Sequence, residues 1–322
     1  MKEIIISEND SNQRIDKFLK KLLVNASNSF IYKMLRKKDI KINGKKVDAK
    51  YIVQPGDKLS MFLYDDMFEK LTSKDEIVHV KQTFELIYED DNILIVNKPA
   101  GLLVHEDINE SRNTLSNQVL TYLDLKGELN KEDGFIPGPV HRLDRNTSGL
   151  VIFAKNFLSS QTLSTMIKER HHLEKSYKCI VVGNLSETKT LTGYIKKLND
   201  ESRVVFVKKE DPKALKMITK YNSLIATKDY SLLEVTLVTG RTHQIRIHLS
   251  SINHPIIGDR KYGDFKVNKL LKERYNLSHQ LLHAYKIKFK EMEYPLEYLN
   301  DKTFICEEDK MFKNIKKKLL DI

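Results

Sequence analysis

Apolar residues recur at helical spacing near the start of the chain. Ile15, Phe18, Leu19, Leu22 and Leu23 share one face, and Lys17, Lys20 and Lys21 fall on the other. A second helix is predicted after a Ser27 or Ser29 cap, with Phe30, Ile31, Met34 and Leu35 inward and Lys33, Arg36 and Lys37 outward. Ile40 to Ile42, the Asn43-Gly44 turn and Lys45 to Val47 then read as a hairpin. Pro55-Gly56 turns the chain into a strand near Leu59 to Leu63. Residues 1–63 are therefore expected to form a small helix-helix-hairpin unit. Residues 64–84 are charged and carry no strong pattern, so a linker with room for one short strand is expected there.

From Glu85 the texture changes. ELIYEDDNILIVNKP places an acidic turn between two strand-like runs. Further strand-like runs fall at 149–154, 177–182, 203–207 and 231–238, and helical patterning at 112–124, 157–168 and 243–250. This predicts an α+β domain over residues 85–300, large enough for its own core. Residues 301–322 end in KMFKNIKKKLL and are expected to be a basic amphipathic tail with no assigned function. No run of about 18 apolar residues is present, so no membrane span is expected.

Charge adds a second layer. The chain of 322 residues carries 55 Lys and Arg against 44 Asp and Glu, a net +11. Residues 12–62 alone hold 13 basic and 4 acidic side chains, which is most of that excess. A basic face on a compact unit suits phosphate contacts that read no bases; the plain alternative is a solvated lysine surface. Two cysteines, Cys179 and Cys306, make neither a disulfide framework nor a four-cysteine zinc site. The first residues lack the apolar stretch of a signal peptide. A reduced, cytoplasmic setting is the simplest expectation. No extended apolar heptad is present, which favours a monomer.

Four segments carry candidate chemistry. HRLDRNTSGL sets Asp144 between Arg142 and Arg145 and leads into the apolar strand LVIFAK. Loops on rigid strands are where reactive groups concentrate, although Arg-x-Asp-Arg is also the make-up of a surface salt-bridge cluster. TGRTHQIRIH puts Arg241 at a strand-to-helix junction, with Thr242 available to cap a helix starting near His243. His243 and His248 are five apart, the wrong spacing for a helical metal pair, so no metal is expected. KPAGLLVH reads as a strand, a turn and a second strand. EKSYKCIVVG begins an aliphatic strand with Tyr177, either as half-buried filling or as a ring to stack on an extruded base.

In order, KPAGLLVH, HRLDRNTSGLVIFAK, EKSYKCIVVG, VTGRTHQIRIHL, HPIIGDRKYG and LLHA closely resemble the RluA-type pseudouridine synthases, across residues 85–290. QRIDKFLKKLL, SFIYKMLRKKDIKINGKKV and PGD resemble the S-four-type RNA-binding domain. The resemblance implies a catalytic domain with a mixed, mainly antiparallel sheet behind a small α/β RNA-binding domain. It implies Asp144 as the catalytic group, Arg142 near the RNA, Tyr177 against the uracil ring and Arg241 paired with the catalytic carboxylate. On the small domain it implies RNA contacts from Lys33, Arg36, Lys37, Lys38 and Lys45. The subgroup with this N-terminal module modifies large-subunit (23S) ribosomal RNA; transfer RNA, or a catalytically silent assembly role, stand as alternatives.

The implied reaction breaks the N-glycosidic bond of a uridine, rotates the base and rejoins it through carbon five. It gains no group and moves no net electrons, so no cofactor is expected. A stacked uridine has to be flipped out first, at a cost of a few kcal/mol. Asp144 then acts as a nucleophile or as a base, and the sequence does not choose. A hydrolase that merely expels uracil would need two carboxylates in set geometry, and the HRLD loop offers one.

Overall fold

The computed structural model describes residues 1–72, 78–129, 135–197 and 204–320. The N-terminal unit is β1 (Lys2–Ile5), α1 (Ile15–Leu22), α2 (Asn28–Lys37), β2 (Ile40–Ile42), β3 (Lys45–Lys46) and β4 (Lys58–Met61). Its strands form an antiparallel sheet in the order β1-β4-β2-β3. Ser27 Oγ accepts the Phe30 N–H at the start of α2, and Lys38 ends that helix in the left-handed region. The apolar face read from the sequence is buried: Ile15, Phe18, Leu19, Ile31, Met34 and Leu35 close over Ile40, Ile42, Leu59 and Met61. Burying each such side chain contributes about 1.5–3 kcal/mol, and the lysines stay on the outer face.

A helix, α3 (Asp65–Thr72), occupies the first part of the expected linker. Asp65 and Asp66 sit at its positive end and Lys70 in its last turn, which favours a helix. Phe68 and Leu71, three apart, lean on the N-terminal core. That short stripe is hidden among charges in the sequence. Residues 73–77 of the same stretch lie outside the described residues.

The larger unit is built on β5 (Glu85–Glu89), β6 (Ile93–Lys98), α4 (Leu115–Leu125), β7 (Gly138–Pro139), β8 (Ser148–Ala154), α5 (Phe157–Glu169) and β9 (Leu173–Val182). It continues with β10 (Lys189–Lys197), β11 (Val204–Phe206), β12 (Leu215–Ala226), β13 (Tyr230–Leu237), α6 (Gln244–Ser251), α7 (Phe265–Tyr275) and β14 (Leu282–Phe289). The strands join one sheet in the order β11-β10-β12-β13-β9-β14-β8-β6-β5, with β7 on β8. Every pairing is antiparallel except β14 with β8. The result is the mixed, mainly antiparallel α+β architecture expected. Within the 203–207 run, residue 203 lies outside the described residues. The second strand expected in KPAGLLVH does not form: after β6 the chain turns at Gly101, and Leu103 makes only an isolated bridge to Thr114.

The parallel pairing of β14 with β8 depends on one glycine. Gly149 has φ +115°, and a Cβ there would lie 2.2 Å from the Ala284 carbonyl oxygen. No other residue lets β8 approach β14 so closely. Beside it, Ser148 Oγ donates to His283 Nδ1 at 2.9 Å, and His283 Nε2 lies 3.3 Å from the Cys306 carbonyl. The TSGL and LLHA segments are thereby one buried joint beneath the sheet.

The stretch expected as a tail is part of this unit. Strand β15 (Thr303–Ile305) pairs with β14, and α8 (Lys310–Leu319) follows an Asp309 cap. Phe312 and Ile315 are buried against Ile180, Leu271, Leu277 and Leu281. The lysines of KMFKNIKKKLL mask an inward face whose partner surface is distant in sequence. Residues 321–322 lie outside the described residues. The two units touch at the start of α5, where the Lys21 ammonium stands 3.7 Å from the centre of the Phe157 ring and Asn9 accepts the Phe157 N–H.

Candidate active site

A cleft of about 880 Å³ opens on the larger unit, lined by the HRLD loop, the start of β9 and the turn before α6. That volume lies within the range of ligand pockets. Asp144, Tyr177 and Arg241, the three residues proposed from sequence, all line it, as does Arg142.

The HRLD loop is held rigidly from behind. The His141 Nε2 accepts the Ile152 N–H at 3.2 Å, so its ring is tied to β8. Burial, with the nearby Lys175 charge, pushes His141 well below its ordinary value and keeps it neutral. Leu143 is buried and Arg142 is exposed at the mouth. Lys98, fully buried, donates to the carbonyls of Pro99, Leu102 and Arg145 at 2.8–3.0 Å. Burial pushes Lys98 down to about 7. Its three carbonyl partners nevertheless call for all three N–H groups of the ammonium form. Gly101 closes the same joint: its N–H donates to the Arg145 carbonyl, and its own carbonyl accepts from Arg145 Nε. KPAG and HRLDR are therefore two halves of one clamp.

Asp144 projects from this clamp into the cleft. The pairing expected with Arg241 is not what forms. Arg246 Nη1 donates to Asp144 Oδ2 at 2.7 Å. Arg246 is in turn held by Asp259, with Nε and Nη2 donating to its two carboxylate oxygens at 2.7 and 2.9 Å. Asp259 also accepts the Lys261 and Tyr262 N–H groups. Side-chain exposure falls from 28% at Asp144 to 9% at Arg246 and 1% at Asp259. Asp144 is thus the most open of the three, Arg246 lines the cleft beside it, and Asp259 forms the buried backing. Burial opposes both charges, yet the mutual hydrogen bonds win: Arg246 is raised above its ordinary value and Asp259 lowered below its own. A fork gripped on two prongs has one orientation left for the third.

Arg241 stands at the rim. Its Nε donates to the Lys216 carbonyl at 3.3 Å. Burial, with the charge of Arg170, presses it below its ordinary value. The difference between the two arginines arises at His243, which has a left-handed φ of 54° and starts α6 in place of a Thr242 side-chain cap. The kink leaves Arg241 before the helix and turns Arg246, in its first turn, toward Asp144. Gln244 fixes the kink, accepting from Thr239 Oγ1 and the Arg241 N–H while donating to the Ile218 carbonyl and Thr219 Oγ1. His243 itself holds the Tyr262 hydroxyl through Nδ1 at 2.9 Å, and its Nε2 lies 3.9 Å from Asp144 Oδ1. Burial lowers its affinity for a proton.

Tyr177 lies within β9 rather than at its start, because the strand begins at Leu173. Only 6% of it is exposed, and its hydroxyl has no hydrogen-bond partner among the described residues. Burial and the Asp144 charge both push its ionisation up, so it presents a neutral ring to the cleft. Lys175, two residues earlier, also lines the cleft and is pushed down to about 8 by burial. Sequence reasoning assigned no role to Lys98, Lys175, Gln244, Arg246 or Asp259. All five stand inside the quoted motifs, which was the available signal.

On the N-terminal unit, Lys33, Arg36, Lys37, Lys38 and Lys45 are all exposed. A shallow groove of about 780 Å³ is lined by Lys33, Arg36 and Lys46 together with Tyr32. It draws in Lys46 rather than Lys45, while Lys37 and Lys38 lie outside it.

Residues 92–251 match the family model described as RNA pseudouridylate synthase, and residues 13–59 match the S4 domain. An uncharacterised RNA pseudouridine synthase of Mycoplasma capricolum subsp. capricolum is 36% identical over 96% of this chain and 98% of its own. The ribosomal large subunit pseudouridine synthase C of Buchnera aphidicola subsp. Baizongia pistaciae is 32% identical over 88% of each chain. Among solved structures, human RNA pseudouridylate synthase domain containing 4 superposes with a TM-score of 0.59 at 22% identity, over 73% of this chain and 92% of that one, a likeness of fold.

Proposed function

The chain belongs to the RNA pseudouridylate synthase family, and on that premise we propose that it isomerises uridines of large-subunit ribosomal RNA with Asp144 as the catalytic group. It is an RNA pseudouridine synthase with an S4 domain at its N-terminus. The observation that carries the finer reading is the Asp144–Arg246–Asp259 chain, an accessible carboxylate held by an arginine with a buried carboxylate behind it, in a nucleotide-sized cleft. The ribosomal target rests on the names of relatives, including the large subunit synthases C and D of Buchnera aphidicola. A cytoplasmic enzyme, in the compartment of that substrate, belongs to the same reading. Domain limits are read as 1–63, 64–84 and 85–320, with the C-terminal helix assigned to the catalytic domain.

In this reading a uridine leaves its stack and enters between Asp144 and Tyr177. Extrusion costs a few kcal/mol, offset by phosphate contacts along the basic rim. Arg170 and Arg241 both line the cleft, and the charge of Arg170 acts on Arg241; two neighbouring cations suit a phosphate. Arg142, at the mouth, reaches the space the base vacates. Asp144 attacks the ribose or base, or removes a sugar proton; Arg246 holds it in place. Once the glycosidic bond breaks, Tyr177 gives the uracil a flat surface to turn against. Its hydroxyl bonds to none of the described residues, so the ring is the useful part. The base rejoins through carbon five, the proton on that carbon leaves, the freed ring nitrogen takes one up, and the carboxylate is restored.

Pseudouridine mapping of ribosomal RNA from cells with and without the protein tests the target. Loss of one or a few large-subunit sites is expected. Loss confined to transfer RNA would move the target, and no loss anywhere would sink the activity. On the N-terminal domain, Lys33, Arg36, Lys37, Lys38 and Lys45 are proposed to contact phosphates. Replacing Lys33 and Arg36 together with alanine should weaken RNA binding and reduce the slope of log affinity against log salt by about 1–2. An unchanged slope would remove these residues from the interface.

A further inference from the structure

At the end of α5 the chain turns sharply, with Arg170 at a left-handed φ of 72°. One potential ligand atom from each of Glu169, His171 and His172 lies within 4.8 Å of the others. The hydrogen bonds decide which ring nitrogen faces the cluster. His172 Nδ1 is 2.8 Å from the Glu291 carbonyl and 3.2 Å from that of Lys290. A carbonyl only accepts, so Nδ1 carries the proton. In the neutral ring Nε2 is then a lone pair, yet it lies 2.8 Å from Glu169 Oε2, a second acceptor. On His171, Nδ1 faces the Glu169 carbonyl at 3.2 Å, and Nε2 lies 3.8 Å from Glu291 Oε2, beyond hydrogen-bond distance.

The close His172–Glu169 contact needs a cation between its two atoms, either a proton or a metal ion. The His171 ring, its centre 3.8 Å from that of His172, adds a third donor to the pair. We infer that Glu169, His171 and His172 form a site for a divalent transition-metal ion of the zinc class. Two imidazole nitrogens and a carboxylate oxygen match the donors such ions take. Backbone carbonyls on both Nδ1 atoms are the outer partners that orient histidine ligands.

The site lies beside the cleft and supplies none of the reacting groups. Through His172, whose Nδ1 holds the Lys290 and Glu291 carbonyls, its ion ties the end of α5 to the turn at 290–291. Lys168 and Arg170, on the same segment, line the cleft wall. The ion therefore holds the rim that faces the RNA backbone and acts on affinity and stability rather than on bond breaking.

The test uses full-length protein stripped with a chelator and titrated at neutral pH with Co²⁺, then Zn²⁺. One equivalent should saturate, with the visible absorption of four-coordinate Co²⁺ displaced by Zn²⁺, and the melting temperature should rise. His171→Ala and Glu169→Gln change exposed side chains, so the fold is kept; each should weaken binding about 10–100-fold, at least as much as loss of an outer partner. His79→Ala, at an unrelated histidine, should bind like the parent. Absence of saturable binding, or unchanged affinity in the His171→Ala/Glu169→Gln double variant, overturns the site and leaves a protonated histidine paired with Glu169.

Discussion

Asp144→Asn is expected to abolish pseudouridine formation while RNA affinity stays the same or rises slightly, since one negative charge leaves the cleft. The change preserves shape. The side-chain carbonyl can still accept from Arg246 Nη1, which reaches the present carboxylate at 2.7 Å, so the loop need not move. What disappears is the charge and its capacity to attack or to take a proton. If Asp144 acts only as a base, the rate should fall by about 10²–10⁴. If it forms a covalent bond, a loss nearer 10⁶ is expected, as for removal of a nucleophile acting in concert with its partners. Single-turnover assays on a defined RNA, with binding measured on the same sample, separate these cases. Tyr177→Phe in that assay should keep most of the rate, because the hydroxyl has no partner to lose, and Tyr177→Ala should not. A normal rate in Asp144→Asn would end the assignment.

Much of the fold could be read because its signals are local. The period of Ile15, Phe18, Leu19 and Leu22 announces α1, and Asn43-Gly44 announces a hairpin. The run LVIFAK announces a strand that the structure buries along its whole length. The failures share a different cause. In α8, Phe312 and Ile315 are apolar on one side only, and whether that side is covered depends on Leu271, Leu277 and Leu281, a surface assembled by folding. In α3 the apolar stripe is two residues long. The candidate site divides the same way. Asp144 and Tyr177 stand in strings distinctive enough to mark them. Arg241 and Arg246 lie five positions apart in one string, equally basic, and nothing local ranks them. The ranking comes from a left-handed residue at 243 and from Asp259, thirteen positions beyond Arg246. A backbone kink and a distant carboxylate are both outside what spacing conveys.

That ranking leads to the second large effect. Arg246→Lys should cut the chemical step by about 10²–10³, the range seen when one electrostatic donor is removed from an active site, with RNA affinity little changed. A lysine carries the charge but has a single nitrogen, so it cannot grip both oxygens of Asp259 and still reach Asp144. Arg246→Met goes further. It leaves Asp259 buried without a counter-charge, which costs about 3–5 kcal/mol of stability. The sign with pH follows from the lowered Asp259. In the parent, its contribution is fully present above the ordinary carboxylate range and is lost as pH falls toward the depressed value. In Arg246→Met that gain disappears, so the parent and the variant should differ most near neutral pH and converge in acid. Arg241→Ala is the control. At the rim, where its side chain donates to the Lys216 carbonyl, the substitution should weaken RNA binding and raise KM while kcat stays close to the parent. If instead Arg241→Ala removed kcat and Arg246→Lys did not, the carboxylate would have to exchange partners when RNA binds, and the Asp144–Arg246–Asp259 chain would be a resting arrangement rather than the working one.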